Sequence, residues 1–256
     1  MIRNLSKMIP AGLAILAVLL AIPQRAFANT VVLTQNSNIS YSNGGEFVVT
    51  SATLSNSSYA AGAKSGSTFD TFCVDYSEEF YPGATYDYTL GNNILGLSRS
   101  DPLNVGTAWL YQQFATGALG GYNYASANNL ANAGYLQQAI WFFQEDALFE
   151  SGVAGAGAGT DKYNSSNTYE NLVLNHFEGG TTSADITALL GTANVAGGYG
   201  VQVIVTGTGY DTHGNITGFA QPQLYYHVPE NGTTVALLGF AFVALVGVRR
   251  WIRKPV

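Results

Sequence analysis

The stretch from Thr68 to Tyr76 reads TFDTFCVDY and has the two-residue period of a β-strand. Successive side chains of a strand point to opposite faces of the sheet. One face carries Phe69, Thr71, Cys73 and Asp75, and the other carries Asp70, Phe72, Val74 and Tyr76. Because the second face is the more apolar, the pattern predicts a core strand with Cys73 on its other face.

Strand patterns also occur before and after this stretch, and a helical region separates them. The strands are expected at 30–34, 46–54, 86–90, 201–205 and 223–227. Helices are expected from Asp101-Pro102 to about Gly117, from about 127 to 148, at 168–177 and at 183–190. The order predicts an α+β body, residues 29–227, formed by a β-sandwich or barrel with a helical insertion at about 101–190.

The charge of this body excludes one class of partner. Residues 29–230 contain three basic residues, Lys64, Arg99 and Lys162, and all sixteen acidic residues of the chain, which gives this stretch a net charge of −13. Such a surface repels phosphate backbones and anionic membranes. We therefore expect no nucleic-acid partner.

The N-terminus has the pattern of a signal peptide. Arg3 and Lys7 precede an apolar run from Met8 to Ile22, and Ala26-Phe27-Ala28 follows as a small-x-small site. This pattern predicts export and cleavage by signal peptidase after residue 28.

The C-terminus combines a short motif, an apolar segment and a basic cluster. Val228-Pro229-Glu230 is followed by uncharged residues to Val248 and then by Arg249 and Arg250. The strictly apolar run of 14 residues from Val235 is extended by 232–234, which predicts a transmembrane helix at about 232–248. Its basic end is expected on the cytoplasmic side.

This tail, residues 228–256, resembles the PEP-CTERM sorting signal, and Asn231 in place of the second proline makes it similar to the VPDSG-CTERM variant. The resemblance implies an exosortase partner in a Gram-negative bacterium that produces exopolysaccharide. The protein would be held in the inner membrane by its C-terminus before processing and then reach the cell surface or the extracellular space.

The body has no recognisable catalytic, metal or cofactor motif. His176, His213 and His227 are scattered and accompanied by a single cysteine, which argues against a zinc site. Glu145, Asp146 and Glu150 are too close in sequence to flank a glycosidic bond. We expect no cofactor, no metal and no enzymatic activity.

Two segments resemble motifs of bacterial thioester domains, which are surface adhesins. Phe72-Cys73-Val74 matches their aromatic-Cys motif, and Gln137 to Trp141 (QQAIW) matches a helix motif that has threonine where Leu136 stands. In that family the cysteine thiol joins the side-chain carbonyl of a late glutamine, releasing ammonia, and the thioester acylates amines. The resemblance implies Cys73 and Gln223 as partners, with Gln221 and then Gln202 as alternative glutamines, and Gln137 and Trp141 around them.

These observations leave three functions open. The first is a non-enzymatic surface or matrix protein that contributes to adhesion, biofilm or exopolysaccharide association, with Cys73 as a buried core residue. The second is a covalent adhesin that attaches to surface amines through a Cys73 thioester. The third is a secreted polysaccharide-active enzyme.

Overall fold

A computed structural model describes most of the body. The described residues are 29–41, 44–51, 53–54, 67–97, 100–125, 129–144, 163–177, 182–195 and 198–227. The predicted signal peptide and the predicted sorting tail, including Val228, Pro229, Glu230, Arg249 and Arg250, lie outside these ranges.

Six antiparallel strands form the main sheet in the order β3-β2-β1-β4-β7-β8. They are β1 (Thr30–Tyr41), β2 (Gly44–Thr50), β3 (Thr68–Thr71), β4 (Thr85–Gly91), β7 (Val201–Tyr210) and β8 (Ile216–Tyr226). A small two-stranded sheet pairs β5 (Asn93–Leu95) with β6 (Ser100–Pro102).

The two ends of the main sheet are joined by backbone hydrogen bonds. Beyond β3, the Val74 N–H donates to the Pro222 carbonyl at 3.2 Å and the Leu224 N–H donates to the Phe72 carbonyl at 3.1 Å. The strand predicted at 68–76 therefore ends at Thr71, because the chain there leaves its pairing with β2 and pairs with β8. We call this junction, Phe72–Val74 against Pro222–Leu224, the seam.

The helices lie between β6 and β7. They are α1 (Val105–Ala115), α2 (Leu130–Phe143), α3 (Thr168–His176) and α4 (Ser183–Leu190). The predicted start of α1 at Asp101-Pro102 is wrong, because these residues belong to β6. The Asn104 side chain caps α1 instead, since its Oδ1 accepts from the Gly106 N–H at 2.7 Å.

The predicted α+β class is confirmed: an antiparallel sheet packs against helices around a continuous apolar core. Helix α2 packs on β1 and β2, which brings its inner face to the seam. Among the described residues, no helix is long and apolar enough to cross a membrane.

Candidate functional site

Cys73 and Gln223 lie opposite each other at the seam. They form an antiparallel bridge, flanked on both sides by the backbone hydrogen bonds that join the sheet ends. Directly opposed residues of an antiparallel pair have Cβ atoms about 4.5–5.5 Å apart, close enough for side-chain contact. Both side chains are fully buried. The fold thus brings a thiol and a primary amide together away from bulk water.

Gln137 of α2 holds Cys73 in place. Its Nε2 donates to the Cys73 carbonyl at 2.8 Å, and its Oε1 accepts from the Cys73 thiol, with Sγ and Oε1 3.5 Å apart. The same Oε1 accepts from the Gly45 N–H at 3.1 Å. Gly45 has a φ of 110°, a backbone conformation that favours glycine. One buried amide therefore ties the cysteine to the start of β2.

Among the described residues, the Gln223 amide is bonded only through its nitrogen. Nε2 donates to Gln221 Oε1 at 3.2 Å and approaches the Gln221 carbonyl at 3.4 Å. Gln223 Oε1 is buried and finds no donor among the residues that the structure describes. A buried carbonyl without a donor costs about 1–3 kcal/mol. This carbonyl marks Gln223 as a candidate reaction centre, because buried polar groups without a partner are rare in folded proteins.

Aromatic rings enclose the thiol. Phe47 and Trp141 are buried and form a small cluster with Cys73, and the partly buried Tyr76 and Phe80 pack against it. Trp141 lies one helical turn after Gln137, so both side chains project from the same face of α2. Tyr76 meets the Trp141 ring edge to face with centroids 5.0 Å apart, and Phe80 meets Phe47 similarly at 5.1 Å. These rings keep water from the thiol.

Five acidic side chains of the described residues are buried, but they are not grouped as metal ligands. Glu46, Asp70, Asp75, Glu78 and Glu170 are all buried. The Tyr122 hydroxyl donates to Glu46 at 2.6 Å, and burial beside Glu46 raises the pKa of Tyr122 far above its ordinary value. Within the described ranges, no group of three or more histidine, cysteine or acidic residues is arranged to hold a metal ion.

The structure brings together Cys73, Gln137, Trp141 and Gln223, the residues that the resemblance had named. Gln221 is buried beside Gln223 and does not pair with Cys73, whereas Gln202 pairs with Tyr225. Sequence reasoning missed Gly45 and the rings of Phe47, Tyr76 and Phe80. Sequence reasoning gave Gln221 only as an alternative thioester partner, because its place beside Gln223 depends on how β8 pairs with β7.

A cavity of about 270 Å³ lies outside the seam, between the start of α1, the end of α2 and the end of α4. Its wall includes Asn104 and Gln144, whose amides already bond to the backbone. Both amides are thus used by the fold, and the seam remains the stronger candidate.

Comparison with protein-family models, with curated proteins and with solved structures finds no match.

Proposed function

We propose that this chain is an exported surface protein in which Cys73 and Gln223 form an internal thioester that acylates amines on a target surface. The observation that carries the proposal is the pairing of the two buried side chains across the seam. It favours a covalent adhesin over a matrix protein with an inert cysteine, because an inert core thiol does not require an amide as its neighbour.

The proposed step is a transfer of the Gln223 acyl group. The thiol sulfur attacks the side-chain carbonyl carbon Cδ, the bond from Cδ to Nε2 breaks, and the thiol proton leaves on the departing ammonia. Contact held by the fold and exclusion of competing water favour such a reaction. Gln137 supports it by fixing the cysteine, and the rings around the thiol protect the product from hydrolysis.

We also infer that the body is a barrel closed at the seam, since the end strands of its sheet are bonded to each other. The thioester would then join the two ends of the sheet covalently at the seam.

Export and sorting complete the proposal. The signal peptide would deliver a mature chain that starts at Asn29, and the tail would present it to an exosortase. N-terminal sequencing tests the first point, and an exported chain that begins at Met1 contradicts it. Neutral substitution of Arg249 and Arg250 tests the second, because unchanged tail cleavage would argue against a sorting signal.

Intact mass and peptide mapping test the thioester. The full chain should be lighter than its sequence by one ammonia, and should gain methylamine on incubation. Trypsin cuts the body only after Lys64, Arg99 and Lys162, so Cys73 and Gln223 fall in different peptides that the thioester should join. The Cys73→Ala variant should lose the mass change, the joined peptides and the methylamine. An unmodified wild-type mass, with a thiol that alkylates after denaturation, would leave the matrix-protein alternative.

A further inference from the structure

Two oxygens of Gln221 accept hydrogen bonds from Gln223 Nε2, the nitrogen that the proposed reaction would release as ammonia. Gln223 Nε2 lies 3.2 Å from Gln221 Oε1 and 3.4 Å from the Gln221 carbonyl oxygen. Both contacts are to acceptors, and both acceptors belong to a residue that is itself buried. When ammonia leaves, the two oxygens remain in place and lose the N–H groups that they accept from. The expelled nitrogen therefore leaves behind a position lined by hydrogen-bond acceptors.

We propose that this position is the binding subsite for the incoming amine and that Gln221 is its specificity-determining residue; the inference rests on the proposed thioester. Aminolysis is the reverse of thioester formation with a different amine. The amine nitrogen attacks Cδ, the bond from Cδ to Sγ breaks, and one amine proton passes to the cysteine sulfur. A path and its reverse share one transition state, so the attacking nitrogen occupies the place that Gln223 Nε2 holds now.

The chain fixes Gln221 in the orientation that this role requires. Its Nε2 donates to the Glu78 carbonyl at 3.0 Å, which leaves Oε1 facing Gln223. Its N–H donates to the Glu79 carbonyl at 3.2 Å, and its own carbonyl accepts from the Thr206 hydroxyl at 3.0 Å. The two acceptors are thus held in position before an amine arrives.

A β-bulge contributes to this arrangement. Gln223 pairs with Ile204 and Ala220 pairs with Thr206, so β8 has one more residue than β7 between these pairs. The extra residue falls at Gln221–Pro222, where the proline has no N–H to give to the ladder. Bulges are common next to active sites, where they redirect side chains.

The subsite explains how an amine would be chosen over water. As a primary amine attacks Cδ, its nitrogen gains positive charge, so its N–H groups donate more strongly to the two Gln221 oxygens. The methylamide product keeps one N–H for one of the two contacts that Gln223 makes now. The hydrolysis product has a carboxylate at position 223, which has no N–H and would face the two acceptor oxygens. We therefore expect Gln221 to speed aminolysis relative to hydrolysis.

The test is the partition of the thioester between methylamine and water in full-length protein. Intact mass separates the thioester, the methylamide and the carboxylate. For Gln221→Met, which keeps the length of the side chain but removes its acceptor, we expect the ratio of methylamide to carboxylate to fall roughly five- to tenfold, the effect of one hydrogen bond. Gln144→Met is the matched control, because it removes another buried glutamine, one that bonds to Asn104 and Pro102, and it should keep the wild-type ratio.

Gln221→Glu provides a rescue variant. It keeps an acceptor oxygen for the amine while it loses the donor to the Glu78 carbonyl, so its ratio should lie above that of Gln221→Met. A folded Gln221→Met variant with the wild-type ratio overturns the inference and leaves the thioester proposal intact. A wild-type chain that shows no loss of ammonia overturns the thioester proposal itself.

A measurement on the wild type covers the case in which the variants do not fold. The adduct with ¹⁵N-labelled methylamine carries a single labelled N–H, which NMR observes selectively. We expect nuclear Overhauser contacts from this proton to Gln221 and slow exchange with solvent. A labelled N–H that exchanges freely and shows no contact to Gln221 would overturn the inference.

Discussion

Gln144 and Gln223 are both buried glutamines, but the fold uses their amides differently. Gln144, at the end of α2, accepts from the Asn104 N–H at 3.0 Å and donates to the Pro102 carbonyl at 3.0 Å. Gln223 donates over longer distances, and its oxygen has no donor in the described part of the chain. The first amide stabilises the fold with both of its ends. The second leaves its oxygen without a bond to a described residue.

The surroundings of the two glutamines differ less clearly. On the helical side, Asn104 Nδ2 donates to the carbonyls of Leu189 and Leu190, and Glu170 accepts from Asn164 and Asn167. The Tyr169 hydroxyl and the Asn194 amide oxygen on that side are nevertheless buried without partners among the described residues, as are the Gln223 oxygen at the seam and one oxygen of Asp75 just beyond it. Proteins tolerate such unfavourable groups mainly where function requires them. The following experiments test whether the seam is that place.

The largest expected effect is the loss of the covalent link. A thioester between residues 73 and 223 would restrict the unfolded chain as a disulfide does, and long loops of this kind contribute about 4–5 kcal/mol. Methylamine should therefore lower the free energy of unfolding of the wild type by about 4 kcal/mol, measured by urea denaturation. Cys73→Ala should unfold like the treated wild type and should not respond to methylamine. An unchanged wild-type midpoint after methylamine incorporation would contradict the link.

Sequence patterns predicted the local elements of both regions well. The helices expected at 168–177 and 183–190 match α3 and α4, because amphipathic spacing and polar N-caps are local signals. The helix start predicted at Asp101-Pro102 was wrong, because Pro102 pairs with Asn93 in the β5–β6 sheet, and this pairing cannot be seen in the local sequence pattern. The end of β3 was missed for a similar reason: the chain changes partner at Phe72, and that change depends on a strand 150 residues later.

The site was predictable only in part. Cys73, Gln137 and Gln223 were named through a family resemblance, and composition or periodicity alone would not have paired residues so far apart. The position of Gln221 around the amide nitrogen requires the bulge in β8, which depends on register with β7. The two-residue period placed Tyr76 on the face opposite Cys73, but Tyr76 packs against the Cys73 cluster because the regular strand ends at Thr71. Phe80 comes from a segment without regular structure, so no period identifies it.

A smaller effect concerns the helical side and pH. Burial raises the pKa of Glu170 from 4.5 to about 8, and bonds from Asn164 and Asn167 only partly offset it. The folded protein therefore keeps a proton that the unfolded chain releases above about pH 4.5. This contribution to stability is complete below that pH and is lost as the pH rises to about 8, by a few kcal/mol in total. Glu170→Gln should flatten the decline in urea denaturation, and an equally steep decline in the variant would contradict the assignment.

A third experiment compares the two glutamines directly. In a Cys73→Ala background, which removes any thioester, Gln144→Met should lower the free energy of unfolding by about 2 kcal/mol, because it leaves the buried Asn104 N–H without its acceptor and also removes the bond to the Pro102 carbonyl. Gln223→Met should cost about 1 kcal/mol, since it removes only the two long N–H donations to Gln221 and its amide oxygen contributes no bond to a described residue. Equal losses for the two variants would show that Gln223 supports the fold as Gln144 does.

The smallest expected effect concerns access to the seam. Tyr76 is partly buried and covers Trp141 and Cys73, so Tyr76→Ala should let both water and small amines reach the thioester more readily. We expect methylamine incorporation and spontaneous hydrolysis to become a few times faster, which corresponds to about 1 kcal/mol in the barrier, with little change in their ratio. Tyr81→Ala is the matched control, because Tyr81 lies on the same segment but is 82% exposed. Its backbone N–H would still donate to the Tyr86 hydroxyl. If Tyr76→Ala and Tyr81→Ala react at the same rate, Tyr76 does not limit entry, and amines reach the thioester from another side of the seam.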